Sequence, residues 1–83
     1  MNQNNLKQQY TYKTFDLALA STLSLWYPLE GIDKADPHRS EFIFRRDDQL
    51  DKLIECYWKR ELQVEPQAFF AQLKFIKSRL YSQ

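Results

Sequence analysis

The sequence predicts a single α+β domain: a short antiparallel β-hairpin, with a short third strand allowed, packed against three helices in the order α-β-β-α-(β)-α. Three observations carry that prediction. Apolar residues recur at helical spacing in three segments. In EFIFR, Phe42 and Phe44 fall two residues apart, on one face of a strand, a half-buried strand signature. Pro28, Pro37 and Pro66 separate these segments. At 83 residues the chain has room for one domain.

The first thirteen residues, MNQNNLKQQYTYK, are rich in Asn and Gln. They hold too few apolar side chains to offset the entropy of ordering them, so residues 1–13 read as a disordered polar tail and 14–83 as the domain. A core of this size sits near the lower limit for independent folding. The supply of rings compensates, with six Phe, five Tyr and two Trp, each burying ~150–250 Å² when packed.

Thr14 is positioned to cap a first helix beginning at Phe15, with Asp16 in its first turn, where the helix dipole favours an anion. Phe15, Ala18, Leu19, Thr22, Leu23, Leu25 and Trp26 share one face at about 100° per residue. Pro28 ends this helix, because a residue before proline avoids the helical region. Residues 29–33 and 41–45 then read as the two strands of a hairpin. Gly31, the one glycine, marks a bulge or a close backbone approach, and the polar KADPHRS stretch forms the turn. Asp47 or Asp48 caps a second helix. It buries Leu50, Leu53, Ile54 and Tyr57, carries Trp58 on its flank, and fails near Glu61. The extended LQVEP stretch is the candidate third strand. Pro66 suits the first position of the last helix, with Glu65 as its cap. On that helix Phe69, Phe70, Leu73, Ile76 and Leu80 form the core arc. Lys77 falls near that arc, Lys74 and Tyr81 share a flank, and Phe75 lies roughly opposite.

Charge is uneven although the net value is +1. Residues 14–44 hold five acids against two bases, while residues 66–83 hold Lys74, Lys77 and Arg79 with no acid. Such a balance does not describe a dedicated DNA-binding protein. The basic last helix with Phe75 on its outer side nevertheless suits weak, salt-sensitive association with DNA or RNA. Cations neutralise phosphates, and an aromatic face accepts a base of any sequence. Arg45, Arg46, Lys59 and Arg60 are the candidate extensions of that surface. Two other readings of Phe75 stand beside it: an isolated exposed ring, which is ordinary, or, with Trp58, an apolar anchor of a protein interface such as a homodimer.

The remaining chemistry is plain. Asp47, Asp48 and Asp51 read as helix-start carboxylates, not as a cation cage. His38 lies in a polar turn and Cys56 on a helix side; one of each cannot complete a structural zinc site. Gly-rich phosphate loops and nucleophile elbows are missing from the sequence. The expectation is a non-enzymatic module with no cofactor. A single cysteine, a polar amino terminus and no apolar run near ~20 residues point to the cytoplasm and away from membranes.

Several local patterns together resemble a family of small prokaryotic domains of unknown function, associated with bacterial genomes and mobile or phage-derived elements. They are Asp16-Leu-Ala-Leu-Ala20, Tyr27-Pro28-Leu29, Phe42-x-Phe44, Tyr57-Trp58 and Val64-x-Pro66 before a Lys-rich helix. The resemblance covers nearly everything after residue 13. It implies a small residue where this chain has Trp26 and Asp where it has Glu65. It implies a fold and brings no activity, substrate or catalytic residue. A mobile-element setting would favour an accessory role with nucleic acid by association alone.

Overall fold

The structure, a computed structural model, describes residues 10–82. It is an α+β domain with the order β1 (Thr11–Thr14), α1 (Leu17–Leu23), β2 (Gly31–Asp36), β3 (Arg39–Arg45), α2 (Asp48–Trp58) and α3 (Pro66–Tyr81). The strands form one antiparallel sheet in the order β1-β3-β2.

The third strand comes from the amino-terminal side. Residues 11–13, expected in the polar tail, extend into β1; residues 1–9 of that expectation lie outside the described residues. Thr and Tyr suit a pleated, half-buried surface. Tyr12 stands opposite Phe44, and Thr14 opposite Phe42. Tyr12 therefore packs its ring on the core while Lys13 faces outward. The LQVEP stretch forms no strand: it connects α2 to α3.

The hairpin runs longer than residues 29–33 and 41–45 suggested. Its turn is Pro37-His38. Two-residue hairpin turns favour positive φ at their central residues, and the proline ring holds φ near about −65°. Neither turn residue has a positive φ. The mismatch appears as an irregular register between Asp33 and Asp36. Gly31 pairs with Ile43, and open space surrounds the position of a Cβ there. Close approach is thus not the reason for this glycine.

The first helix is shorter than its apolar pattern. Asp16, not Thr14, is the cap: its carboxylate accepts the Leu19 N–H at 3.0 Å. Thr14 ends β1, and its hydroxyl oxygen accepts the Asp16 N–H at 3.1 Å. After Leu23 the chain turns, with Trp26 and Tyr27 N–H groups both reaching the Leu23 carbonyl. Phe15 and Trp26 lie outside the regular helix, so its wheel does not govern them, and both are exposed. The seven-residue helix is nevertheless the centre of the molecule. Leu19, Ala20, Ser21, Thr22 and Leu23 are all buried. Ser21 and Thr22 satisfy their hydroxyls by donating to the carbonyls of Leu17 and Ala18, at 2.8 and 2.9 Å.

The fully packed core joins every layer: Leu19, Ala20 and Leu23 of α1, Phe42 and Phe44 of β3, Leu50 of α2 and Ile76 of α3. The helices cover one sheet face; Arg45 and Lys13 belong to the other, where Lys13 reaches Asp33 at 3.5 Å. Asp47 caps α2 by accepting the Leu50 N–H at 2.8 Å. That helix closes with Arg60 in the left-handed region at φ 61°. The Arg60 and Glu61 N–H groups then reach the carbonyls of Tyr57 and Cys56, a Schellman closure normally built on glycine. Among the described residues, no helix is long and apolar enough to cross a membrane.

Candidate nucleic-acid interface on the last helix

The last helix begins at a well-made start. Glu65 accepts the N–H groups of Ala68 and Gln67 at 2.8 and 3.1 Å, and Pro66 loses no bond at the first position. Every charged residue after that cap is a cation. Arg79 lies in the last turn, where it complements the negative helix end. Lys34 of β2 strengthens the same end: its ammonium donates to the Ser82 carbonyl at 2.9 Å and to that of Arg79 at 3.4 Å.

The buried arc of α3 is narrow. Only Ile76 is fully enclosed, with Phe69, Leu73 and Leu80 partly buried. Phe70 was expected among them and is 58% exposed. It sits ~100° around the helix from Phe69, which carries it past the edge of the contact with the rest of the core. Lys77, expected near the core arc, is likewise exposed.

The outer face of α3 therefore holds two rows. Phe70, Lys74, Lys77 and Tyr81 follow one another at intervals of four, three and four residues, all exposed. On the other exposed flank, ~150° around the helix axis, stand Phe75 and Arg79, one turn apart, with the guanidinium 5.9 Å from the ring centroid. Phe75 is 51% and Tyr81 77% exposed. Lys74, Lys77 and Arg79 form no ion pair among the described residues. Phe70 and Tyr81 were not among the sequence candidates. Their signal was present in the 70-74-77-81 spacing, but the hydrophobicity of Phe70 placed it in the core.

The other candidates do not join this face. Arg46 grips Asp51 through two nitrogens, at 2.9 and 3.3 Å. Lys59 pairs with Glu55 at 2.8 Å, one turn away on α2. Arg45 projects from the sheet face opposite Phe44, away from the helices. Arg60 is held in the closing turn of α2. Trp58, 61% exposed, lies edge-on to Tyr57 with ring centroids 5.0 Å apart. Trp58 and Arg60 both line an open groove of about 530 Å³ with Leu62 and Val64.

The acidic start of α2 is accounted for by local bonds. Besides capping, Asp47 accepts the Tyr27 hydroxyl at 2.6 Å. This bond pushes the Tyr27 phenol up to about 12, with burial adding to the effect. The same bond, followed by the Leu50 N–H, holds Asp47 below the usual carboxylate range. Asp51 is engaged by Arg46. Elsewhere, the Ala35 N–H chiefly lowers Asp33, with Lys13 contributing, and Lys59 lowers Glu55. His38 is in the hairpin turn and Cys56 is partly buried on α2.

No curated protein and no solved structure matches the chain. A family model does, over residues 9–82, and its span takes in β1, the helical core and the whole outer face of α3. The chain belongs to that family, the domain of unknown function DUF5659.

Proposed function

We propose that this protein is a non-enzymatic binding module of the cytoplasm that associates weakly with nucleic acid through the outer face of α3. One observation carries the reading. Three cations without an acidic partner among the described residues are interspersed along α3 with three exposed rings: Phe70, Lys74, Lys77 and Tyr81 lie on one exposed flank and Phe75 with Arg79 on the other. The cations suit phosphates and the rings suit unstacked bases, so a single strand is the favoured form. The twelve residues from Phe70 to Tyr81 extend ~16 Å along the axis, room for only a few nucleotides. Affinity is accordingly modest.

Fluorescence anisotropy with labelled single-stranded and duplex DNA tests the reading. Three phosphate contacts give a logarithmic salt slope of about −2 for a single strand, so binding weakens roughly twentyfold between 50 and 200 mM salt. A folded Lys74→Glu, Lys77→Glu, Arg79→Glu variant loses that binding. No binding by the native chain at low salt would end the proposal.

Exposed rings also support a second reading, a homodimer or other protein interface anchored by Phe75 and Trp58. Both are more than half exposed. Apolar association resists salt, whereas phosphate binding does not. Sedimentation velocity that shows a dimer at high salt, dissociated by Phe75→Asp, would favour this second reading.

A further inference from the structure

A separate concavity lies where the hairpin turn, the link from β1 to α1 and the end of α3 meet. Its volume is about 530 Å³, within the ~300–1,000 Å³ range of small-molecule sites. Phe15, Leu17, Phe42 and Leu80 supply an apolar lining. Lys34 and Arg39 stand at its rim.

The two cations are held in place without being neutralised. The Arg39 guanidinium stacks on the Phe15 ring, 3.9 Å from its centroid. A stacked guanidinium keeps its N–H donors in its own plane, directed past the ring edge. Lys34 spends two of its three donors on the carbonyls of Arg79 and Ser82, which carry no formal charge. Neither cation forms an ion pair among the described residues. Asp36 also lines the site, and its carboxylate accepts the His38 N–H at 2.9 Å within the turn. Asp36 offsets one of the two cations, so the rim keeps one more cation than carboxylate. Apolar walls beside an unneutralised, fork-shaped donor define an amphipathic complement.

We infer that this concavity binds a small amphipathic carboxylate, its aromatic or aliphatic body lying against Phe15, Leu17 and Leu80 and its carboxylate meeting Arg39 and Lys34. The concavity meets the candidate α3 surface only at Tyr81, which lines both; its cations, Lys34 and Arg39, are not those of the nucleic-acid reading, and the inference stands without it.

The test is an NMR titration of the ¹⁵N-labelled full chain with 1-naphthoate. Parallel titrations use 1-naphthalenemethanol, which keeps the body without the charge, and acetate, which keeps the charge without the body. Naphthoate is expected to shift the amides of residues 34–40, 80 and 81 saturably. The alcohol and acetate bind at least about tenfold more weakly, since each lacks one half of the recognition. Arg39→Gln weakens naphthoate about tenfold while the spectrum keeps its dispersion. Ser40→Phe, which narrows the concavity from β3 without changing charge, removes the saturable shifts. If Arg39→Gln loses its dispersion, Ser40→Phe decides. The inference is overturned by non-saturating shifts, by equal binding of the alcohol, by shifts centred on another surface, or by naphthoate binding that both folded variants retain.

Discussion

Ile76 is the one side chain of α3 with no exposed surface, so Ile76→Ala tests whether the candidate interface is carried on a docked helix. Three methyl or methylene groups leave the core, and Leu19, Leu23, Phe42, Phe44 and Leu50 belong to the same buried cluster. Such truncations cost about 2–5 kcal/mol, the larger values arising where the cavity cannot collapse. A domain of this size has a total stability of about 4–12 kcal/mol at 0.05–0.15 kcal/mol per residue. The substitution therefore removes a large fraction of it and lowers Tm by roughly 8–40 °C at 4–8 °C per kcal/mol. Ile76→Val removes one carbon and costs about 0.5–1.5 kcal/mol. Urea unfolding followed by far-ultraviolet circular dichroism and by tryptophan fluorescence separates two outcomes. Coincident transitions at lower urea mean that α3 is part of one cooperative unit. A lower m-value with non-coincident transitions means that α3 undocks first. A cost below about 1 kcal/mol for Ile76→Ala would refute the buried arc described for α3, since an enclosed isoleucine cannot be truncated so cheaply.

Four further outcomes follow from particular bonds. Arg60→Gly should stabilise the domain by about 0.5–1 kcal/mol, because glycine enters the left-handed region without the Cβ clash; thermal unfolding reads the sign, and a lower Tm would argue against strain there. Ser21→Ala should change stability by less than about 1 kcal/mol, since the lost hydroxyl bond to a carbonyl within the same helix is offset by better helix propensity; a cost above about 2 kcal/mol would show that this hydroxyl does more than satisfy itself. The Tyr27–Asp47 bond sets two pH limits with opposite signs. Asp47 has its folded pKa lowered, so its contribution is present above the unfolded value of 3.8 and fades as pH falls through the lower folded value. Tyr27 has its folded pKa raised from 10.0 to about 12, so its contribution is complete below 10 and is lost as pH rises through about 12. Tyr27→Phe should remove the alkaline loss and diminish the acidic one, as read from urea midpoints across the pH range. An unchanged alkaline slope would mean that the bond is not formed in solution. Finally, Phe75→Ala should weaken single-strand binding about tenfold with an unchanged salt slope, whereas Lys74→Gln should reduce the slope by about 0.7; anisotropy at several salt concentrations distinguishes the two, and the converse pattern would reverse the assigned roles.

Much of this architecture was legible because the signals are local. A helical period repeats within one turn, so α2 and α3 could be read from Leu50, Leu53, Ile54 and Tyr57, and from Phe69, Leu73, Ile76 and Leu80. Asp47 and Glu65 cap their helices through bonds two or three residues long, and Pro66 marks the first position of the last helix. The alternation of Phe42 and Phe44 located the central strand. The concentration of unopposed cations on the last helix was visible in composition, and the family resemblance agrees with the matched family model in describing a domain of unknown function.

Tertiary structure decided what depends on distant partners. Thr11–Thr14 is too polar to announce a strand. It becomes one because β3 offers an unpaired edge and Phe44 a ring for Tyr12 to pack beside. The first helix stops at Leu23 because the chain turns there through bonds to the Leu23 carbonyl, although the apolar pattern continues to Trp26. Phe70 is apolar and adjacent to core residues in sequence, yet its exposure is set by how wide a strip of α3 the other elements cover. Arg46 and Lys59 looked available until Asp51 and Glu55 were found to hold them. The concavity beneath Arg39 unites residues from three separated segments. Sequence by itself determines periodicity, caps and the inventory of charges, since these act over one turn of backbone. Which edge is paired, which ring is left in water and which cation keeps its charge depend on surfaces that meet only after the chain has folded.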